Sequence, residues 1–199
     1  EDIVTAVKEG LSNQKKSYIY DIDKCLGENL PRIRTTPQYT AYLKIAEGCD
    51  NRCTYCAIPY IRGKYRSRKM EDILSEARAL AEDGVREIIV VAQDTTRYGI
   101  DLYGERKLSE LLKSLCEISK IEWVRVHYCY PEQIDEKLIK TMKEQEKIVK
   151  YLDIPVQHGC DSVLKRMGRK TDGKSIESLV ETLRREIPDI TLRTSIITG

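Results

Sequence analysis

The chain has 199 residues, enough for one domain and part of a second at roughly 100–200 residues per domain. Its 34 Lys and Arg against 32 Asp and Glu leave a net charge of +2, which excludes a nucleic-acid binder held by bulk charge and equally an acidic tail. With 41% hydrophobic and 33% charged residues the chain is too apolar to be disordered, and no run of about 18 apolar residues offers a transmembrane helix.

The opening Glu1-Asp2 carries neither Met nor the basic start and apolar stretch of a secretory signal, so a piece of a longer, cytoplasmic protein is expected. Residues 2–11 read as a short helix, with Ile3, Val4, Ala6 and Val7 on one face and Gly10 as a stop. A lone amphipathic helix needs something to cover it, and a partner upstream of residue 1 is expected. Residues 12–38 have weak periodicity broken by Gly27, Pro31 and Pro37, and read as a linker.

From Tyr39 onward a regular alternation begins. Strands are predicted over 41–46, 86–92, 121–127, 148–154 and 190–197 from β-forming and near-continuous apolar runs. Helices are predicted between them over 71–82, 108–118, 133–143 and 175–186 from apolar residues at helical spacing. Five strands alternating with four helices require right-handed crossovers and give an α/β fold with a parallel sheet. Periodicity does not decide between an open sheet and part of a barrel. In either form, functional loops follow the carboxyl ends of the strands. The chain stops right after the fifth strand, so truncation is expected there too.

The loop after the first strand reads Glu47-Gly48-Cys49-Asp50-Asn51-Arg52-Cys53-Thr54-Tyr55-Cys56. Seven cysteines, an odd number without a secretory signal, argue against a disulfide scaffold, and three of them fall in this C-x3-C-x2-C run. Three soft thiolates so close together can wrap one metal site. Zinc normally takes a fourth ligand from a second knuckle, and His127 and His158, the only histidines, are far apart and in different loops. A ferredoxin-type 4Fe–4S site takes four thiolates, so three leave one iron open to a substrate. A structural zinc loop or three buried thiols is the alternative.

C-x3-C-x-aromatic-C at the top of the first strand of a βα repeat resembles the radical S-adenosylmethionine (SAM) superfamily. The resemblance implies a partial (β/α) barrel in which Cys49, Cys53 and Cys56 hold a 4Fe–4S cluster. Its open iron chelates SAM, which is cleaved to a 5′-deoxyadenosyl radical. The stretches Ala46-Glu47-Gly48-Cys49, Ala57-Ile58-Pro59 and Arg62-Gly63-Lys64-Tyr65-Arg66-Ser67-Arg68 are similar to the methylthiotransferase branch. Within it, Ala92-Gln93-Asp94-Thr95-Thr96-Arg97-Tyr98-Gly99 looks like the members that modify an aspartate β-carbon of a small-subunit ribosomal protein. The tRNA-adenosine methylthiotransferases usually carry Gly-Gln-Asn-Val there and are the alternative. A non-catalytic, metal-stabilised interaction module is the alternative of another class.

By this resemblance Asp94 faces the SAM amino group, although Ala92 and Gln93 replace the glycines of the superfamily motif. Gln157 is expected at the ribose, Ile58 at the adenine, and Thr198-Gly199 at the start of the adenine-binding glycine motif. The branch also implies that residues 1–20 are the tail of an N-terminal domain holding a second 4Fe–4S cluster, that 21–38 are a linker, and that 39–199 are the radical SAM core. A downstream β-barrel domain is expected as well. Without both domains the chain is expected not to complete methylthiolation. The partners implied are a small-subunit ribosomal protein and an electron donor such as a flavodoxin or ferredoxin, with nucleic acid only under the tRNA alternative.

The other candidates are less specific. Arg62, Lys64, Arg66, Arg68 and Lys69, interleaved with Tyr60 and Tyr65, form either a solvated loop or a surface for an anion. Trp123 is expected in the core, Cys116 in a helix core, and Cys25, Cys129 and Cys160 as free thiols. His127 and His158 read as satisfied histidines at strand ends.

Overall fold

The computed structural model describes residues 3–19 and 33–198. Cys25, Gly199 and most of the expected linker lie outside the described residues. Helix α1 spans Ile3–Leu11 as predicted, and it buries none of its residues. Residues 33–39 contain no helix or strand.

The sheet is built from β1 (Thr40–Lys44), β4 (Glu87–Val91), β5 (Trp123–Val126), β6 (Ile148–Asp153) and β7 (Thr191–Arg193), adjacent in that order and all parallel. This is the predicted parallel α/β architecture. Two further strands, β2 (Ala46–Glu47) and β3 (Arg66–Ser67), form a separate antiparallel pair.

The period-two pattern of the strands decides which face is covered. Ala41, Leu43, Ile88, Val90, Val124, Val126 and Leu152 are buried. Helices α3 (Met70–Glu82), α5 (Leu108–Cys116) and α6 (Glu136–Glu144) pack on β1, β5 and β6 respectively, while α8 (Gly173–Glu186) packs on α6. Ile73, Ala77, Leu80 and Ala81 of α3 and Leu108, Leu111, Leu112 and Leu115 of α5 are buried, which is the apolar stripe the spacing predicts. Two helix starts are set by side-chain caps. Asp135 accepts from the Leu138 amide and Asp172 from the Ser175 amide, each at 2.8 Å.

Several boundaries differ from the sequence expectation. Pro131 begins a 3-10 turn, and α6 starts only after the Asp135 cap. The last strand is cut to Thr191–Arg193, with Ile196 bridging to Gln157 farther on. Three short helices, α2 (Ile58–Ile61), α4 (Ile100–Tyr103) and α7 (Asp161–Arg166), were not predicted, because one turn or two shows no periodicity. Trp123 is not core. It is 53% exposed, because it shares the less buried face with Arg125, while Val124 and Val126 take the buried positions.

Candidate active site

The cysteine run is an excursion of the chain clamped at its base. The β2–β3 pair joins residues 46–47 to 66–67, so residues 48–65 leave and return at one point beyond the carboxyl end of β1. At the neck, Gly48 has φ +78°, and a Cβ there would stand 2.0 Å from the Lys64 carbonyl oxygen. Only glycine meets both demands. The Cys49 amide donates to the Gly63 carbonyl at 3.2 Å, and the Cys56 amide to the Cys53 carbonyl at 3.0 Å. From behind, the Thr54 amide donates to the Met167 carbonyl at 3.0 Å and its hydroxyl to the Arg166 carbonyl at 3.1 Å. Gly168, also at positive φ, lets the chain pass where a Cβ would meet the Arg52 carbonyl at 2.9 Å.

Cys49 and Cys53 are buried, Cys56 is half-buried, and all three are free thiols. Among the described residues no three His, Cys, Asp or Glu side chains converge as placed into a metal-binding group. Ligands on a loop are drawn together by the ion they bind, so the chemistry of the donors and their surroundings is the test of fit. Both fit an anionic iron–sulfur cluster. The donors are three soft thiols on one loop. Burial raises the Cys49 thiol pKa, so its thiolate needs a counter-charge.

Arg169 is a buried cation in electrostatic reach of Cys53. Its side chain is 0% exposed, and its Nη2 donates to the Pro155 carbonyl at 3.1 Å and lies 3.6 Å from Glu132 Oε2. The guanidinium sits 4.3 Å from the Tyr130 ring centroid. The Tyr130 hydroxyl is 3.7 Å from Cys53 Sγ. Nε and Nη1 of Arg169 have no hydrogen-bond partner among the described residues, so a buried cation keeps donors available beside the cysteines. Nothing in the sequence singles out Arg169, whose role arises from residues 14 to 39 positions away brought together by the fold.

The residues expected to touch SAM are placed as follows. Asp94 is buried just beyond β4, where its carboxylate accepts from the Thr96 hydroxyl and, at 2.9 Å, from the Asn51 amide. Its carbonyl accepts from the Tyr65 hydroxyl at 2.8 Å. Burial raises its carboxyl pKa, and the bonds from Thr96 and Asn51 oppose that shift. Asp94 thus ties the β4 loop to the cysteine loop through Asn51, a residue the sequence reading did not single out.

Gln157 has φ +74°, its amide donates to the Ser195 carbonyl at 2.9 Å, and its carbonyl accepts from the Ile197 amide at 2.8 Å. Beside it lies a cleft of about 390 Å³ lined by His158, Gly159, Met167, Ile196, Ile197 and Thr198. Ile58 is half-buried at the start of α2.

Of the basic stretch, Arg68 binds Glu76 at 2.7 Å, Arg62 lies 3.9 Å from Glu47, and Arg66 donates to the Lys64 carbonyl at 2.9 Å. Arg68 and Arg62 thus face carboxylates of α3 and β2, and Tyr65 is buried as a packing residue. His127 is half-buried against the Tyr128 and Tyr151 rings, with burial lowering its pKa, and the His158 Nδ1 accepts from the Cys160 amide at 2.9 Å. Cys116 is buried in α5, Cys129 is fully buried, and Cys160 is exposed.

A parallel βα sheet with a three-cysteine loop beyond its first strand defines a class, and residues 43–199 match the family described as the radical SAM superfamily. The chain belongs to that superfamily. Within it, the chain is 56% identical over 194 residues to the ribosomal protein uS12 methylthiotransferase RimO of Acetivibrio thermocellus, covering 96% of this chain and 43% of the relative. It is 60% identical over 168 residues to the RimO of Alkaliphilus oremlandii, covering 84% and 38%. The chain spans less than half the length of these relatives. Among solved structures, the radical SAM methyltransferase TsrM of Kitasatospora setae superposes with a TM-score of 0.64 at 16% identity, over 85% of this chain and 34% of that one. The similarity to TsrM concerns the fold alone.

Proposed function

We propose that this chain is the catalytic core of a methylthiotransferase that places a methylthio group on the β-carbon of an aspartate in the small-subunit ribosomal protein uS12. The observation that carries this reading is the 51–60% identity to uS12 methylthiotransferases over 84–99% of the chain. Cys49, Cys53 and Cys56 are the residues assigned to a 4Fe–4S cluster, with Arg169 as the buried counter-charge. When bound, the cluster supplies an open iron for SAM and the electron that cleaves it.

The protein's own part is positional. The β2–β3 clamp and the Thr54 hydrogen bonds brace the backbone of the cysteine loop. Asp94 couples that loop to the end of β4, and the cleft beside Gln157 offers a partly apolar recess for a nucleoside. In this reading residues 1–20 belong to an N-terminal domain with a second 4Fe–4S cluster, 21–38 are a linker, and 39–199 are the radical SAM core. A flavodoxin or ferredoxin delivers electrons, and the setting is cytoplasmic.

The test is a strain deleted for the protein. Mass spectrometry of its uS12 is expected to lack the methylthio mass, and complementation restores it. Loss of methylthio-adenosine from tRNA with intact uS12 modification would overturn the reading in favour of the tRNA alternative. Iron and sulfide content after anaerobic purification tests the cluster separately, and one tightly bound zinc without SAM binding would point to a structural module instead.

A further inference from the structure

The sheet face opposite the buried one carries charge at the carboxyl ends of its last strands. Arg193 ends β7 in register beside Asp153, which ends β6. Arg193 Nη1 donates to Asp153 Oδ1 at 2.7 Å. The two members of this pair differ in burial, since the Asp153 side chain is 3% exposed and the Arg193 side chain 57%. Asp153 is therefore the anchored member, and Arg193, which also meets the Tyr151 hydroxyl, keeps much of its surface facing outward.

The backbone at this pair is continuous with the strand end that carries Tyr130. The Arg193 carbonyl accepts from the Ile154 amide at 2.9 Å, and the Asp153 carbonyl accepts from the Cys129 amide at 2.9 Å. The following residue, Tyr130, is the one whose hydroxyl stands 3.7 Å from Cys53 Sγ. Arg193 and Asp153 therefore sit at the same carboxyl end of the sheet as Cys129 and Tyr130. The other arginine on this face, Arg125, is engaged at both Nε and Nη2 by Glu87, at 2.8 and 2.7 Å, with Tyr151 at 5.3 Å from its guanidinium carbon.

A guanidinium carries five N–H donors in a planar fork that suits carboxylates two bonds at a time. Fixing one edge on a buried carboxylate sets the plane of the other edge, so little ordering is left to do when a ligand arrives. We propose that Arg193, oriented by Asp153, receives the carboxylate of the substrate aspartate and selects that side chain over an uncharged isostere. This inference rests on the reading of the substrate given above.

The experiment uses the complete protein in which this chain occurs, with its clusters reconstituted, and recombinant uS12 as substrate. Affinity is compared for uS12 with the modified aspartate and for uS12 with asparagine in its place. The wild type is expected to prefer aspartate by about tenfold or more, the scale of a charge-assisted hydrogen-bond pair. R193Q brings that ratio close to one, R193K retains part of it, and D153N reduces it by releasing the guanidinium. A purely structural role of Arg193 would weaken both substrates alike and leave the ratio unmoved. If the wild type modifies uS12 and the ratio survives in R193Q, this inference fails alone. If the wild type modifies tRNA and not uS12, the substrate reading fails with it.

Discussion

The Arg169 guanidinium lies 4.3 Å from the Tyr130 ring centroid, on the same tyrosine whose hydroxyl reaches Cys53. This places a permanent charge behind the cysteine loop at the cost of burying it. Replacing Arg169 with Met leaves Glu132 Oε2 buried without a cation and removes the bond to the Pro155 carbonyl. The cluster-free protein is expected to lose about 3 kcal/mol in urea unfolding, the scale for breaking a buried pair. R169K, which keeps the charge, is expected to lose less. A loss under about 1 kcal/mol in R169M would show that the pair is not coupled to the fold.

Gly48 and Gly84 separate conformation from crowding. Both have positive φ, but a Cβ at Gly84 meets nothing within 4 Å, whereas one at Gly48 meets backbone at 2.0 Å. Gly84→Ala is expected to cost about 1 kcal/mol, the conformational term alone. Gly48→Ala adds a clash with backbone that has no side chain to rotate away, and is expected to exceed its counterpart by at least about 1–2 kcal/mol. Equal losses in thermal or urea unfolding would mean the neck of the loop can widen.

Among the described residues, the thiols outside the loop differ in reactivity in a predictable order. Cys160 is exposed and its pKa is lowered by the Ser162 hydroxyl and by the Val163 and Ser162 amides, while burial pushes the Cys129 thiol up to about 12. Thiolate is the reactive form. Brief treatment of the native protein with iodoacetamide, read by peptide mass spectrometry, is expected to label Cys160 first and Cys129 last. The Cys160 rate should level off at a lower pH than that of an ordinary thiol. Early labelling of Cys129 would contradict its burial.

Asp94 makes the cluster-free fold sensitive to pH. Its folded-state pKa is raised, chiefly by burial, so the native state holds this proton more tightly than the unfolded chain does. The stabilisation is complete below the ordinary carboxylate range and is lost as pH rises through the raised value. Asparagine at this position has no such loss. The melting temperature of D94N minus that of the wild type is therefore expected to increase from pH 4 to pH 7. A flat or falling difference would show the carboxylate to be well accommodated as an anion.

How legible all this was depends on how far apart the cooperating residues lie. Strands such as β4 (Glu87–Val91) and helices such as α5 could be read directly, because burial on one face leaves a local pattern. The cysteine loop was legible for the same reason, its donors being neighbours in sequence. Trp123 misled because size suggested burial while alternation placed it outside. Arg169 was invisible, since nothing near Gly168-Arg169-Lys170 announces that Tyr130, Glu132 and Pro155 will surround it. The pairing of Asp153 with Arg193 required the strand order, which composition and spacing do not contain.

The bracing of Thr54 by the carbonyl of Arg166 spans 112 positions of chain. During synthesis, Cys49, Cys53 and Cys56 leave the ribosome well before the residues that will support them from behind. The loop acquires its backstop only after the fourth βα unit has docked, a long-range closure of the kind that slows folding. Before that docking, the segment that carries the three cysteines lacks the Arg166 and Met167 carbonyls that hold it in the folded chain.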